Sequence, residues 1–190
     1  MELMEQKIRA EGKVLPGGIL KVGSFLNQQI DTSFLTSVGR EIARLYDGCS
    51  VTKVLTIESS GIAIAAAAGM AMHVPLVFAK KHKSSNVDGD VYSTVVHSYT
   101  HNTDYTVVVS SDYLLPTDTV LLVDDFLANG KALVGLIDLV NQAGATLVGA
   151  ACAIEKGFQG GGDALRAAGI RVESLAIIES MSDEEITFRL

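Results

Sequence analysis

The sequence predicts an α/β fold, a doubly wound and mostly parallel sheet carried on one domain spanning residues 1–190. Three observations predict it. Val51–Ile57 reads as a core strand, and Val120–Val123 and Thr146–Ile154 are apolar runs without strict polar alternation, as expected of strands covered on both faces. Each run is followed by a turn and then by a segment with helical spacing. Finally, Val51–Ile57, a small-residue helix over Ile62–Met72 and a short strand over Leu76–Ala79 form a strand–helix–strand unit, whose crossover is right-handed by rule.

In chain order, Leu3, Met4, Lys7 and Ile8 give Met1–Glu11 helical spacing, and Gly12–Gly18 with Pro16 reads as a turn-rich break. Ile19–Val22 reads as a short strand and Asn27–Ile30 as a loop. Asp31 then caps a helix that runs to about Tyr46 and stops at Asp47-Gly48. Lys80–Asp90 loses all apolar periodicity and reads as a loop. Val91–Tyr99 and Tyr105–Ser110 read as strands around a polar turn, forming a hairpin that projects from the sheet or lengthens its edge. A helix follows over about Lys131–Ala143, closed by Gly144. Beyond Ile154 come Glu155-Lys156, a glycine-rich loop over Gly157–Gly162, a short helix over Asp163–Ala168 and a last main strand over Arg171–Ile178. Ile186–Arg189 pairs at an edge.

Composition narrows the function. Hydrophobic residues make up 48% of the chain and charged residues 19%, which is globular rather than disordered. Fifteen Lys plus Arg against 22 Asp plus Glu give a net charge of −7, which argues against a general nucleic-acid surface. The apolar stretch Ile62–Met72 is too short to span a bilayer, and Glu2, Glu5 and Glu11 do not suit a signal peptide. Cys49 and Cys152 have no metal-like spacing and are expected to be reduced, in a cytoplasmic protein.

The chemistry concentrates in Val120–Ala132. Four apolar residues lead into Asp124-Asp125, a short loop with Asn129 and Gly130, and the helix that begins near Lys131. In open α/β sheets ligands bind beyond the carboxyl ends of the strands. A loop entering a helix offers backbone N–H groups and the positive end of the helix dipole to a phosphate, and Gly130 lets the backbone approach it closely. The two carboxylates suit sugar hydroxyls or a hydrated Mg²⁺. Such a pattern fits a phosphorylated sugar. Taken as an isolated acid pair, it also fits a capped helix start.

This stretch resembles the signature of type I phosphoribosyltransferases, which bind 5-phosphoribosyl 1-pyrophosphate (PRPP). The resemblance implies that Asp124 and Asp125 face the ribose hydroxyls and that Ala128, Asn129, Gly130, Lys131 and Ala132 wrap the 5′-phosphate. It makes Ser59, Ser60 and Gly61, after Val51–Ile57, the pyrophosphate loop. Lys81 and Lys83 become the cations of a closing loop that excludes water, with Mg²⁺ bound mainly through PRPP and pyrophosphate. A homodimer, with the loop acting across its interface, is also implied. In the purine salvage branch a hood from the N-terminal segment (about residues 1–35) covers the base, which here points to Leu20, Asn27, Lys156 and Phe158. A lysine ammonium donates to a 6-oxo group and rejects a 6-amino group. Those residues, Glu58-Ser59-Ser60-Gly61 and Ala79–Ser84 resemble bacterial xanthine phosphoribosyltransferases over most of the chain. Guanine or hypoxanthine as acceptor, and a non-catalytic PRPP-sensing regulator, are the alternatives. One position departs from the pattern. Several 6-oxopurine relatives have an acid, assigned to the N7 proton, where this chain has Ala128.

Overall fold

A computed structural model describes residues 1–81, 90–98, 103–182 and 185–189. Its main sheet runs in the order β10-β9-β8-β7-β3-β4, where β3 is Lys53–Ile57, β4 Leu76–Ala79, β7 Thr119–Leu127, β8 Thr146–Lys156, β9 Val172–Met181 and β10 Ile186–Phe188. All neighbouring pairs are parallel except β10 with β9, which is antiparallel. Strand order reverses between β3 and β7, because the chain proceeds from β3 to one edge and from β7 toward the other. That reversal opens a crevice at the carboxyl ends of both strands.

Side chains along β7 alternate between two cores. Leu121 and Val123 pack with helices α1 (Glu2–Glu11), α2 (Thr32–Leu45) and α3 (Gly61–Met72) on one face. Val120 and Leu122 pack with α4 (Lys131–Gln142) on the other. This double coverage is why the strand reads as an unbroken apolar run. The small residues of α3 also have a use, since a Cβ on Gly39 of α2 would lie 2.5 Å from the Ala67 carbonyl. Asp31 caps α2 as its sequence position suggests, accepting from Phe34 N–H at 3.0 Å. Lys7 of α1 pairs with the same carboxylate at 2.8 Å and thereby ties the first helix to the second.

Several elements differ from the sequence reading. The segment Gly12–Gly18 contains a strand, β1 (Lys13–Leu15), paired antiparallel with β2 (Ile19–Lys21) through a turn with Gly17 and Gly18 at φ +86° and +72°. Gly23–Asn27 forms a π-helical turn, so Asn27 ends a helical turn rather than opening a loop. The hairpin of β5 (Val91–Ser98) and β6 (Thr103–Ser110) neither projects nor extends the sheet. It lies on α4, where a Cβ on Gly135 would fall 2.5 Å from Val96 Cγ2. Reciprocal 2.8 Å hydrogen bonds between Lys80 and Val108 tie it to the end of β4. β8 continues two residues past Ile154, which puts Glu155 and Lys156 on the strand itself. A 3₁₀ turn, Gly157–Gln159, and helix α5 (Gly161–Ala167) come next.

Candidate functional site

β7 carries its apolar run into Asp124 and Asp125 and ends at Leu127. Asp124 is buried, at 5% exposure. Burial, and next the charge of Asp125, push its carboxyl well above the usual carboxylate range, while the Lys81 ammonium acts against the shift. Asp125 N–H donates to Asp124 Oδ1 at 2.9 Å. The following loop turns at Gly130, whose φ of +81° favours glycine. Asn129 Oδ1 accepts from Lys131 N–H at 3.1 Å, and Gly130 brings no side chain to the start of α4. Backbone donors and helix dipole thus converge beside the acid pair, in the arrangement that receives a phosphate.

The loop Glu58–Gly61 lies directly against this acid pair. A Cβ on Gly61 would fall 2.9 Å from Asp124 Oδ1 and 2.4 Å from Thr56 Oγ1, so glycine is required for the two loops to meet. Ser59 is exposed and the Ser60 side chain makes no capping bond, although Ser60 sits at the helix start. The Glu58–Ser59 peptide is cis. Thr56 Oγ1 is buried without a hydrogen-bond partner among the described residues. Lys81 is held by its backbone, whose N–H donates to Glu58 Oε1 at 2.7 Å, and its ammonium lies 5.3 Å from the Tyr105 ring centroid. Lys83 lies outside the described residues. Among those described, no group of three or more His, Cys, Asp or Glu is placed to hold a metal ion. Two adjacent carboxylates suit a cation that arrives already bound by a polyphosphate, rather than a metal caged by the protein.

Lys156 reaches from the end of β8 to the turn between β1 and β2. Its Nζ donates to the Gly18 carbonyl at 3.1 Å and lies 5.8 Å from the Phe126 ring centroid. Desolvation lowers its pKa from 10.5. Glu155 does not pair with it. The Glu155 carboxylate is fully buried, and Arg166 donates to both oxygens, at 3.0 and 2.7 Å, as does Ser174 Oγ to one of them. Removing one partner of such a pair costs about 3–5 kcal/mol.

These contacts match a known architecture: residues 29–164 fit the phosphoribosyl transferase domain family. The chain belongs to the phosphoribosyltransferase family. Xanthine phosphoribosyltransferase from Bifidobacterium longum is 54% identical over 100% of both chains. The one from Lachnoclostridium phytofermentans is 50% identical, over 98% of this chain and 96% of that one. Among solved structures, the Giardia lamblia APRTase complexed with 9-deazaadenine superposes with a TM-score of 0.77 at 25% identity, covering 94% of this chain and 98% of that one. Adenine phosphoribosyltransferase from Trypanosoma brucei, bound to AMP, pyrophosphate and ribose-5-phosphate, gives 0.77 at 19% identity, covering 95% and 82%. At that identity the likeness is one of fold.

The expected residues of this phosphoribosyltransferase fall into two groups. Asp124, Asp125, Ala128 to Ala132, Ser59 to Gly61 and Lys81 gather at the β3–β7 reversal. Lys156 and Phe158, the latter 46% exposed on the 3₁₀ turn, sit near the hood, and Asn27 is half-buried within it. Leu20 is different. It is 6% exposed and packed in the core with α1 and α2, so little of its side chain is left for a ligand. Phe126, beside Lys156, went unnoticed in the sequence. Only the β7–β8 register brings the two together: Phe126 lies opposite Ile154, and Lys156 is two residues further on.

Proposed function

We propose that this phosphoribosyltransferase transfers the 5-phosphoribosyl group from PRPP to N9 of xanthine, giving xanthosine 5′-monophosphate and pyrophosphate in purine salvage. The observation that carries the acceptor is Lys156, a partly desolvated donor at the hood, in a chain half identical to xanthine phosphoribosyltransferases over their whole length. A donor there suits a 6-oxo group and opposes a 6-amino group.

In this reading the loop Ala128–Ala132 holds the 5′-phosphate and Asp124-Asp125 face the ribose hydroxyls. Ser59, Ser60 and Gly61, with Lys81 and Lys83, receive the pyrophosphate. Asp124 and Asp125 would hold a Mg²⁺ that comes bound to PRPP, and the ion would neutralise charge on the pyrophosphate and the ribose face. The bond from C1′ to the pyrophosphate oxygen breaks and its electron pair leaves with pyrophosphate, where cations stabilise it. N9 of the base then bonds to C1′, and the base gives up a proton. Ala128 has no group to take it, so xanthine, an acidic purine, enters already deprotonated, or another group or water accepts the proton. Asn27 addresses the 2-oxo group and Phe158 stacks on the ring. A homodimer and a cytoplasmic setting belong to the same proposal.

Pyrophosphate release with PRPP, Mg²⁺ and each of five nucleobases tests it. Xanthine is expected to give the highest kcat/KM. Preference for guanine or hypoxanthine would move the acceptor, preference for adenine would remove Lys156 from its role, and no release with any base would leave a PRPP-binding regulator.

A further inference from the structure

We infer that Glu155 and Arg166, acting through Gly161, are positioning residues for the 5′-phosphate loop; this rests on the phosphoribosyl reading above. Helix α5 touches two parts of the site at once. Its first residue, Gly161, donates its N–H to the Ala128 carbonyl at 3.1 Å. A Cβ on Gly161 would lie 2.3 Å from Ala128 O, 2.4 Å from Asn129 C and 2.5 Å from Gly130 N, so the helix backbone is seated on the peptide groups that would cradle the phosphate. Its next residue, Gly162, meets the opposite wall, where a Cβ would lie 2.1 Å from Glu155 Oε1.

Arg166 locks that seat. Its guanidinium forks onto both oxygens of the buried Glu155 carboxylate, and its Nε donates to the Val172 carbonyl at 3.2 Å. Ser174 Oγ occupies the remaining acceptor capacity of Oε2. The fork is planar and rigid, and it fixes α5 to β8 and β9 in a way that a lysine ammonium cannot reproduce. Neither Glu155 nor Arg166 touches the substrate in this scheme. Their effect is on where the loop's N–H groups point, and small misplacements of such groups are expensive in binding and rate.

The test uses the full chain with Gly161→Ala and Arg166→Lys, the second keeping the charge while losing the fork. Ribose 5-phosphate affinity is read by calorimetry, KM for PRPP and for xanthine by steady-state kinetics, and folding by thermal melts. Both variants are expected to lose ribose 5-phosphate affinity and to raise KM for PRPP, by on the order of tenfold or more, with KM for xanthine within about twofold of wild type. Wild-type affinity for ribose 5-phosphate in either folded variant overturns the inference, even if its melting temperature falls, since that is the signature of a brace alone. Equal rises in both KM values also overturn it. A wild-type chain that does not bind ribose 5-phosphate overturns the phosphoribosyl reading itself.

Discussion

Lys156 Nζ donates to the carbonyl of Gly18 at 3.1 Å, joining the end of β8 to the turn between β1 and β2. One hydrogen bond therefore connects the turn between β1 and β2 to the strand that carries the proposed base-side donor. The lysine is partly desolvated and its ammonium lies near the Phe126 ring, so it is held in place before any ligand arrives. Lys156→Ala removes both the anchor and the proposed donor to a 6-oxo group. It should lower kcat/KM for the base by about 10²-fold or more while changing ribose 5-phosphate affinity by less than about threefold. Kinetics with each substrate varied in turn, together with calorimetry, checks this; equal losses on both sides would refute it.

The lowered pKa of Lys156 gives a pH signature. The ammonium must be charged to donate strongly, so kcat/KM for xanthine should fall on the alkaline side at a pH below 10.5. Lys156→Arg stays charged throughout and should lack that limb. Xanthine's own ionisation is common to both proteins and cancels in their ratio. Stability runs the other way. Between the folded value and 10.5 the unfolded chain holds more protons at this position, so the contribution of Lys156 to stability rises with pH through that window. A wild-type to Lys156→Arg ratio that is flat with pH would remove the assigned role.

Asp124 carries a cost in stability. Its folded pKa is raised well above 3.8, chiefly by burial, so the native state holds the proton more tightly than the unfolded chain does. Its contribution to stability is therefore full below 3.8 and is lost as pH rises from there through the raised value. Asp124→Asn should raise the melting temperature by a few degrees, about 1 kcal/mol or more, when measured without ligand. Combined with Asp125→Asn, it should leave folding intact and lower turnover by about 10³-fold. Melts at pH 5 and pH 8 supply a control, because the gain should be larger at the higher pH.

The motif strand was legible because each of its requirements is local. Leu121 to Val123 are apolar since both sheet faces are covered, and Gly130 is glycine because its φ is +81°. What stayed hidden depends on distant partners. Glu155 looks like the polar end of a strand, yet it is fully buried, and Arg166, eleven positions on, makes that burial tolerable together with Ser174. Gly161 and Gly162 look like loop flexibility, whereas each is small because another chain segment occupies the place of its Cβ. Three-residue β1 was lost among Gly12, Pro16, Gly17 and Gly18, whose turn chemistry dominates so short a window. Leu20 was read as a ligand contact from its place in the N-terminal segment, and its side chain is also a core residue packed with α1 and α2. Pairing and close approach are tertiary facts, and a residue pattern records them only where they repeat with the strand or helix period.

Ala128 offers the sharpest test of acceptor chemistry. It is half-buried on the loop between Leu127 and Gly130, and its carbonyl is already engaged by Gly161 N–H. Only its side chain is open to change. In the proposed reaction a base that enters neutral must lose a proton as its bond to C1′ forms, whereas deprotonated xanthine need not. Ala128→Asp would supply an acceptor, one that benefits guanine and hypoxanthine far more than xanthine. It should raise kcat with those two bases by about tenfold or more, through general-base catalysis. With xanthine, kcat should be unchanged or lower, since a second negative charge beside an anionic base is repulsive. Turnover measured from pH 6 to 9 decides the matter, because the xanthine advantage of the wild type should shrink as the base is protonated at low pH. An equal change with all three bases would show that proton removal does not distinguish them.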